Sequence, residues 1–93
     1  MKTVASPQIL IVEDDPSVRT VASQTLELAG FAVQAVDSAE AALARLSVDW
    51  PGIVVSDVRM PNMDGHELHR RCKVIDSELP VILITGHGDV SMA

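Results

Sequence analysis

Short apolar runs alternate along the chain with segments of helical periodicity. Four of these runs are rich in Ile, Val, Leu and Ala, have the length of a strand, and end at acidic or turn-forming residues. They predict strands at Gln8–Val12, Phe31–Val36, Ile53–Ser56 and Val81–Ile84. Continuous apolar runs that alternate with helices are typical of βαβ units around a parallel sheet.

Three helices are predicted between these strands. The first begins at an aspartate N-cap, Asp15, which is followed by proline, and stops at Gly30. The second begins with a capping box formed by Asp37 and Glu40 and ends near Ser47. The third directs an apolar stripe inward that consists of Leu68, Cys72 and Ile75. We therefore expect an α/β fold, a doubly wound parallel sheet with crossover helices on both faces.

The end of the chain continues this pattern without completing it. Asp89 is placed to cap a further helix that starts at Val90, and the sequence stops at Ala93. We expect a single domain over residues 1–93 that is truncated before its last strand and helix. The edge of strand four would then be apolar and unpaired, and a second copy of the chain is one expected way of covering it.

Composition narrows the classes of partner. The chain has 93 residues, 47% of them hydrophobic, which suits one globular domain. Its formal charge of -6 repels nucleic-acid phosphates and anionic membranes, and no apolar run approaches the roughly 18 residues of a spanning helix. Its single cysteine, Cys72, excludes an internal disulfide. We expect no direct nucleic-acid or membrane contact and a cytoplasmic location.

The predicted strands end in residues that can carry chemistry. The first strand leads into Glu13, Asp14 and Asp15, the third delivers Asp57, and the fourth ends at Thr85. In an open parallel sheet the functional crevice lies beyond these carboxyl ends. If strands one and three are neighbours, their carboxylates converge, and a divalent cation would offset the repulsion. Oxygen ligands suit Mg²⁺, which commonly bridges to phosphoryl oxygens, so phosphoryl chemistry is the leading hypothesis.

Three ordered motifs give the chain a family resemblance. The segments ILIVEDDPSVR, IVVSDVRMPNMDG and PVILITGHGDV occur at the ends of strands one, three and four. Together they resemble a response-regulator receiver domain. The second motif, with TGHGDVSMA, further resembles receivers of nitrogen-regulator, dicarboxylate-transport and nitrogen-fixation transcription regulators. The resemblance implies a flavodoxin-like sheet of strand order 2-1-3-4, with the fifth strand missing.

The resemblance also implies residue roles. Asp57 matches the aspartate that accepts the phosphoryl group, and Asp14 and Glu13 match the acidic pair that holds Mg²⁺, directly and through water respectively. The backbone carbonyl of Arg59 matches the remaining protein ligand, and the hydroxyl of Thr85 matches the group that hydrogen-bonds the phosphoryl group. Gly86 falls on the small-residue position beside Thr85, and His87, like Arg59, is at a position that tunes phosphoryl hydrolysis.

The implied partners are a sensor histidine kinase as donor and an output domain, expected to be transcriptional, that lies outside this sequence. The chain would catalyse only its own phosphorylation and dephosphorylation and would not be a turnover enzyme. The lysine of the family's fifth strand is missing from the sequence, so we expect weak phosphorylation or poor coupling to output.

Alternatives remain at this stage. Asp14 and Asp15 could be only helix caps, and His66 and His69, one helical turn apart, could bind a transition metal. An aspartyl-phosphate phosphatase would need a second aspartate where Arg59 stands. A flavodoxin-like cofactor module would need a glycine-rich loop in place of EDDP. A non-phosphorylated fragment that dimerises through the edge of strand four is the remaining alternative.

Overall fold

The computed structural model describes residues 8–85. The elements in chain order are β1 (Gln8–Val12), α1 (Pro16–Leu28), β2 (Ala32–Val36), α2 (Ala39–Arg45), β3 (Gly52–Asp57), α3 (Gly65–Ile75) and β4 (Val81–Ile84). The four strands are parallel and lie in the order β2-β1-β3-β4, as the family resemblance implies, and the three helices connect them. The predictions for Gly86, His87, Asp89 and Val90, and for the chain's last residues, lie outside the described residues.

The core is built on one face of the sheet. Leu10 and Val12 of β1 and Val54 of β3 point to this face, where α2 and α3 cover them. Side chains on a strand alternate between faces, which explains why these positions are two residues apart. Cys72 is fully buried here and packs as a core residue, as the helical stripe predicts.

The opposite face carries α1 and is more open. An apolar hollow of about 570 Å³ lies between α1 and strands β1, β3 and β4. Ile82 and Ile84, which line it, remain 50% and 47% exposed. In α1 no residue is buried, and Val18 and Val21 are exposed. Helices therefore lie on both faces, although the two faces are unequally covered within the described part of the chain.

Helix ends follow local capping chemistry, with one correction. Asp15 caps α1 by accepting hydrogen bonds from the Ser17 and Val18 backbone N–H groups. Gly30, at φ 101°, ends α1 in the left-handed conformation that glycine favours. The predicted capping box at Asp37 is wrong, because the Oγ of Ser38 accepts from the backbone N–H of Ala41 and is the N-cap of α2.

Three element boundaries also differ slightly from the sequence prediction. Helix α2 ends at Arg45 rather than near Ser47, because Leu46 is already extended, with ψ 146°. Strand β2 begins at Ala32, one residue after Phe31, whose N–H still closes the end of α1 on the Leu26 carbonyl. Strand β3 is longer than predicted, since Gly52 and Asp57 both belong to it.

Candidate metal and phosphoryl site

Register brings the acidic strand ends to one level. Strand β1 pairs in parallel with β3, with Val12 opposite Ser56, so Glu13 lies level with Asp57. The condition on which the sequence prediction depended, that strands one and three are neighbours, is therefore met. Parallel strands present their carboxyl ends at the same edge of a sheet, where ligand crevices form.

Three carboxylates converge at this edge. Ligand oxygens of Glu13, Asp14 and Asp57 all lie within 4.8 Å of one another. Glu13 and Asp57 are each only 6% exposed, whereas Asp14 is exposed to solvent. Within residues 8–85 this is the one group of three or more His, Cys, Asp or Glu side chains able to hold a metal ion, so His66 and His69 belong to no such group.

Asp15 does not join the cluster. Its carboxylate accepts the Ser17 and Val18 N–H groups at 2.8 and 3.2 Å and is used in capping α1. The cap interpretation is thus correct for Asp15, while Asp14 next to it faces the cluster. The backbone N–H of Asp15 donates at 3.1 Å to Oε2 of Glu13 and so holds that carboxylate within the short connection between β1 and α1.

The cluster is electrostatically costly without a cation. Burial raises the pKa of Glu13 above its ordinary value of 4.5, and the charges of Asp57 and Asp14 raise it further. The hydrogen bond from the Asp15 N–H acts in the opposite direction. A raised pKa means that the folded protein resists placing another negative charge here. A bound cation would relieve that resistance, and an all-oxygen donor set fits a hard divalent cation such as Mg²⁺.

Asp57 is held by the loop that follows it. Its Oδ1 accepts the Arg59 backbone N–H at 3.3 Å. The next residue, Val58, donates its N–H to the Ile84 carbonyl at 2.9 Å and accepts from the N–H of Gly65 at 2.9 Å. The backbone that follows Asp57 is therefore anchored between the end of β4 and the start of α3.

The remaining predicted site residues lie at the same edge. Thr85 is exposed and directly follows Ile84, which pairs with Asp57 in the register between β3 and β4. Arg59 is exposed two residues after Asp57. Their proposed roles, a hydroxyl on the phosphoryl group and a carbonyl ligand for the cation, stay predictions.

Sequence reasoning missed one participant. Nη1 of Arg19, on α1, donates to the backbone carbonyl of Glu13 at 2.9 Å. Arg19 belongs to the EDDPSVR motif, but no sequence pattern predicts a role for it. A hydrogen bond from a side chain to a backbone carbonyl six residues earlier requires no hydrophobic periodicity and no capping pattern.

Comparison with known proteins shows the family of the chain. The response regulator receiver domain family matches residues 9–93. The chain is 53% identical over 89 residues to the C4-dicarboxylate transport transcriptional regulatory protein DctD of Rhizobium meliloti (strain 1021), covering 96% of this chain and 19% of that protein. It is 45% identical over 85 residues to the transcriptional regulatory protein FixJ of Bradyrhizobium diazoefficiens, covering 91% of this chain and 42% of that protein.

Solved structures agree on the fold. The crystal structure of FixJ-N aligns with a TM-score of 0.81 at 42% identity, covering 97% of this chain and 72% of that one. The chain thus belongs to the response regulator receiver domain family, as the motifs predicted, and it spans about a fifth of the length of the DctD regulator it matches. Among the described residues no helix has the length and apolar character needed to cross a membrane.

Proposed function

We propose that the chain is a phosphoacceptor domain that takes a phosphoryl group onto Asp57 with the help of Mg²⁺. The observation that carries this proposal is the convergence of the Glu13, Asp14 and Asp57 oxygens within 4.8 Å at the carboxyl ends of β1 and β3. Asp14 would bind the cation directly, Glu13 through water, and Asp57 and the Arg59 carbonyl would complete the protein ligands.

The chemistry suits a buried, anchored carboxylate. An oxygen of Asp57 forms the new P–O bond while the P–N bond of a phosphohistidine donor breaks, and its electron pair stays on the imidazole nitrogen. Bound Mg²⁺ would supply neutralisation of charge on the phosphoryl oxygens. The hydrogen bond from the Arg59 N–H holds the carboxylate in place, and the hydroxyl of Thr85 is available at the neighbouring strand end.

The relatives support the wider setting of this proposal. Proteins named as transcriptional regulators share 45–53% identity with the chain across most of its length. We propose a sensor histidine kinase as phosphoryl donor, a transcriptional output domain as the recipient of the signal, and the cytoplasm as the location. No direct nucleic-acid contact by this domain is proposed, since its formal charge is -6.

A self-modifying domain is favoured over a turnover enzyme. An aspartyl-phosphate phosphatase protonates its leaving group with an aspartate two residues after the nucleophile, and that position is Arg59. We therefore expect no multiple turnover on small phosphate esters.

Intact-mass measurement tests the phosphoacceptor proposal. The chain is incubated with acetyl phosphate in Mg²⁺ and in EDTA, beside Asp57→Asn and the control Asp49→Asn. Asp49 is an exposed aspartate in the connection between α2 and β3, before the strand whose last residue is Asp57. We expect one phosphoryl adduct in Mg²⁺, retained in the control and lost in EDTA and in Asp57→Asn. Absence of the adduct in folded wild-type chain would contradict the proposal.

A second candidate function is association of two copies through β4. Among the described residues β4 pairs only with β3, and its Ile82 and Ile84 side chains are half exposed. Unpaired apolar strand edges promote association. Sedimentation at several concentrations tests this candidate, and a monomer at every concentration would reject it.

A further inference from the structure

The connection between β1 and α1 must hold three consecutive acidic residues in a defined geometry. It consists of Glu13, Asp14 and Asp15, and two of these carboxylates lie against Asp57. Repulsion among like charges drives such a segment apart. Backbone contacts that fix the segment therefore bear directly on how well it binds a cation.

The backbone of Glu13 is held from two sides, at its N–H and at its carbonyl. The Glu13 N–H donates to the Val36 carbonyl of β2 at 3.1 Å, and its carbonyl accepts from Nη1 of Arg19 at 2.9 Å. The Arg19 backbone N–H also donates to the Asp15 carbonyl at 2.9 Å. That backbone bond is the first helical bond of α1, whereas the side-chain bond is specific to the arginine. The side chain of Arg19 thus joins α1 to the start of the connection, and the carbonyl it holds belongs to the peptide bond that leads into Asp14.

The guanidinium of Arg19 makes this contact with a carbonyl rather than a carboxylate. The ion pairs recorded among residues 8–85 join Glu67 to Arg70 and Arg71, and none involves Arg19. Arg19 is half-buried, so its side chain is confined rather than free in solvent. Its geometry is that of a group that orients the backbone of the acidic connection.

We infer that Arg19 is a positioning residue for the cation site, fixing the Glu13–Asp14 peptide so that both carboxylates meet Asp57. This inference rests on the proposed function, because it assigns a determinant of affinity to the same site. Mutation of a residue that holds the direct ligands of a metal commonly lowers the affinity for that metal by about 10-fold.

Charge and position make opposite predictions for this residue. Removal of a positive charge near an anionic site strengthens cation binding by simple electrostatics. Loss of the hydrogen bond to the Glu13 carbonyl loosens the connection and weakens binding. The direction of the change in Mg²⁺ affinity therefore distinguishes a positioning role from mere proximity of charge.

Calorimetric titration with Mg²⁺ tests the inference on wild type, Arg19→Ala, Arg19→Gln and Arg19→Lys. The matched control is Arg45→Ala, which removes an exposed arginine that bonds the side chain of Gln34. We expect binding to weaken by about 10-fold in Arg19→Ala and Arg19→Gln, to recover in part in Arg19→Lys, and to stay unchanged in the control. Urea unfolding in EDTA, run on every variant, separates weaker binding from loss of fold.

Unchanged or tighter binding by folded Arg19→Ala would overturn the inference. If Arg19→Ala does not fold, Arg19→Lys decides, and affinity equal to wild type there would argue for charge alone. If wild type binds no Mg²⁺, the proposed function fails separately. The amide exchange of Asp14 in metal-free protein then decides the positioning role, which requires faster exchange in the Arg19 variants than in Arg45→Ala.

Discussion

A methyl group added at Gly65 provides a sharp test of how the site is supported. Gly65 is buried at the first position of α3 and lies against the backbone of Asp57 and Val58 at the end of β3. A Cβ at this position would lie 2.6 Å from the Asp57 carbonyl oxygen and 2.9 Å from the Val58 Cα. Both are backbone atoms of the central sheet and its adjoining loop, so neither can rotate away.

The expected magnitude follows from that geometry. The nearest contact is about 0.8 Å short of the 3.4 Å at which ordinary van der Waals contact begins, so α3 or the loop after β3 must move. Overpacking of this kind costs about 1–3 kcal/mol. Helix propensity alone favours alanine over glycine, so the steric prediction for Gly65→Ala has the opposite sign to the propensity prediction.

Urea unfolding in EDTA, followed by the fluorescence of the single tryptophan, Trp50, measures the loss of unfolding free energy in Gly65→Ala. The matched control is Gly30→Ala, where the added Cβ meets nothing within 4 Å and the cost of about 1–2 kcal/mol comes only from φ 101°. We expect Gly65→Ala also to weaken Mg²⁺ binding, because the displaced backbone carries Asp57, and Gly30→Ala to leave it unchanged. Wild-type stability and affinity in Gly65→Ala would refute the steric reasoning.

Three further predictions concern titration and capping. The folded protein holds the Glu13 proton more tightly than the unfolded chain does. The unfolding free energy of the metal-free protein therefore falls as pH rises from 4.5 through the raised pKa of Glu13. Urea unfolding of Glu13→Gln over the same pH interval shows a smaller fall. Burial raises the pKa of the Cys72 thiol above 9.0, so stability falls as pH rises beyond that value, and Ellman's reagent labels this thiol only in urea. Ser38→Ala costs about 1 kcal/mol in urea unfolding while Asp37→Ala costs under about 0.5, since Ser38 is the cap of α2.

Each of these predictions has a contradicting outcome. Parallel stability curves for wild type and Glu13→Gln would show that the Glu13 carboxyl titrates alike in both states. Prompt labelling of native Cys72 would show that α3 opens readily. Equal losses of unfolding free energy in Ser38→Ala and Asp37→Ala would contradict Ser38 as the sole cap and would support the capping box that the sequence predicted.

The sheet and the acidic cluster could be predicted because strong local patterns specify them. Strand β1 is apolar and buried from Ile9 to Val12 and is followed directly by Glu13, as a central strand buried on both faces requires. Asp57 is the last residue of β3, which is also rich in apolar residues, and parallel pairing brings the two strand ends to one edge. Asp15 followed by proline specified the start of α1 for a purely local reason.

Other features depend on contacts between elements. Asp37 and Ser38 are adjacent residues that both cap helices well, and only the extended backbone of Ser38 decides which one does. The exposure of Val18 and Val21 reflects how far the α1 face of the sheet is covered, which helical periodicity does not specify. The contact between Arg19 and the Glu13 carbonyl depends on how a long side chain folds back over the connection.

Chemical mapping of the phosphorylated residue tests the central claim most directly. The chain is treated with acetyl phosphate in Mg²⁺ and then with borohydride, which reduces an acyl phosphate of aspartate to homoserine, and its peptides are sequenced by mass spectrometry. The account predicts homoserine at position 57 alone, absent when EDTA replaces Mg²⁺. Homoserine at another aspartate, or at position 57 regardless of Mg²⁺, would contradict a cation-assisted phosphoacceptor site built from Glu13, Asp14 and Asp57.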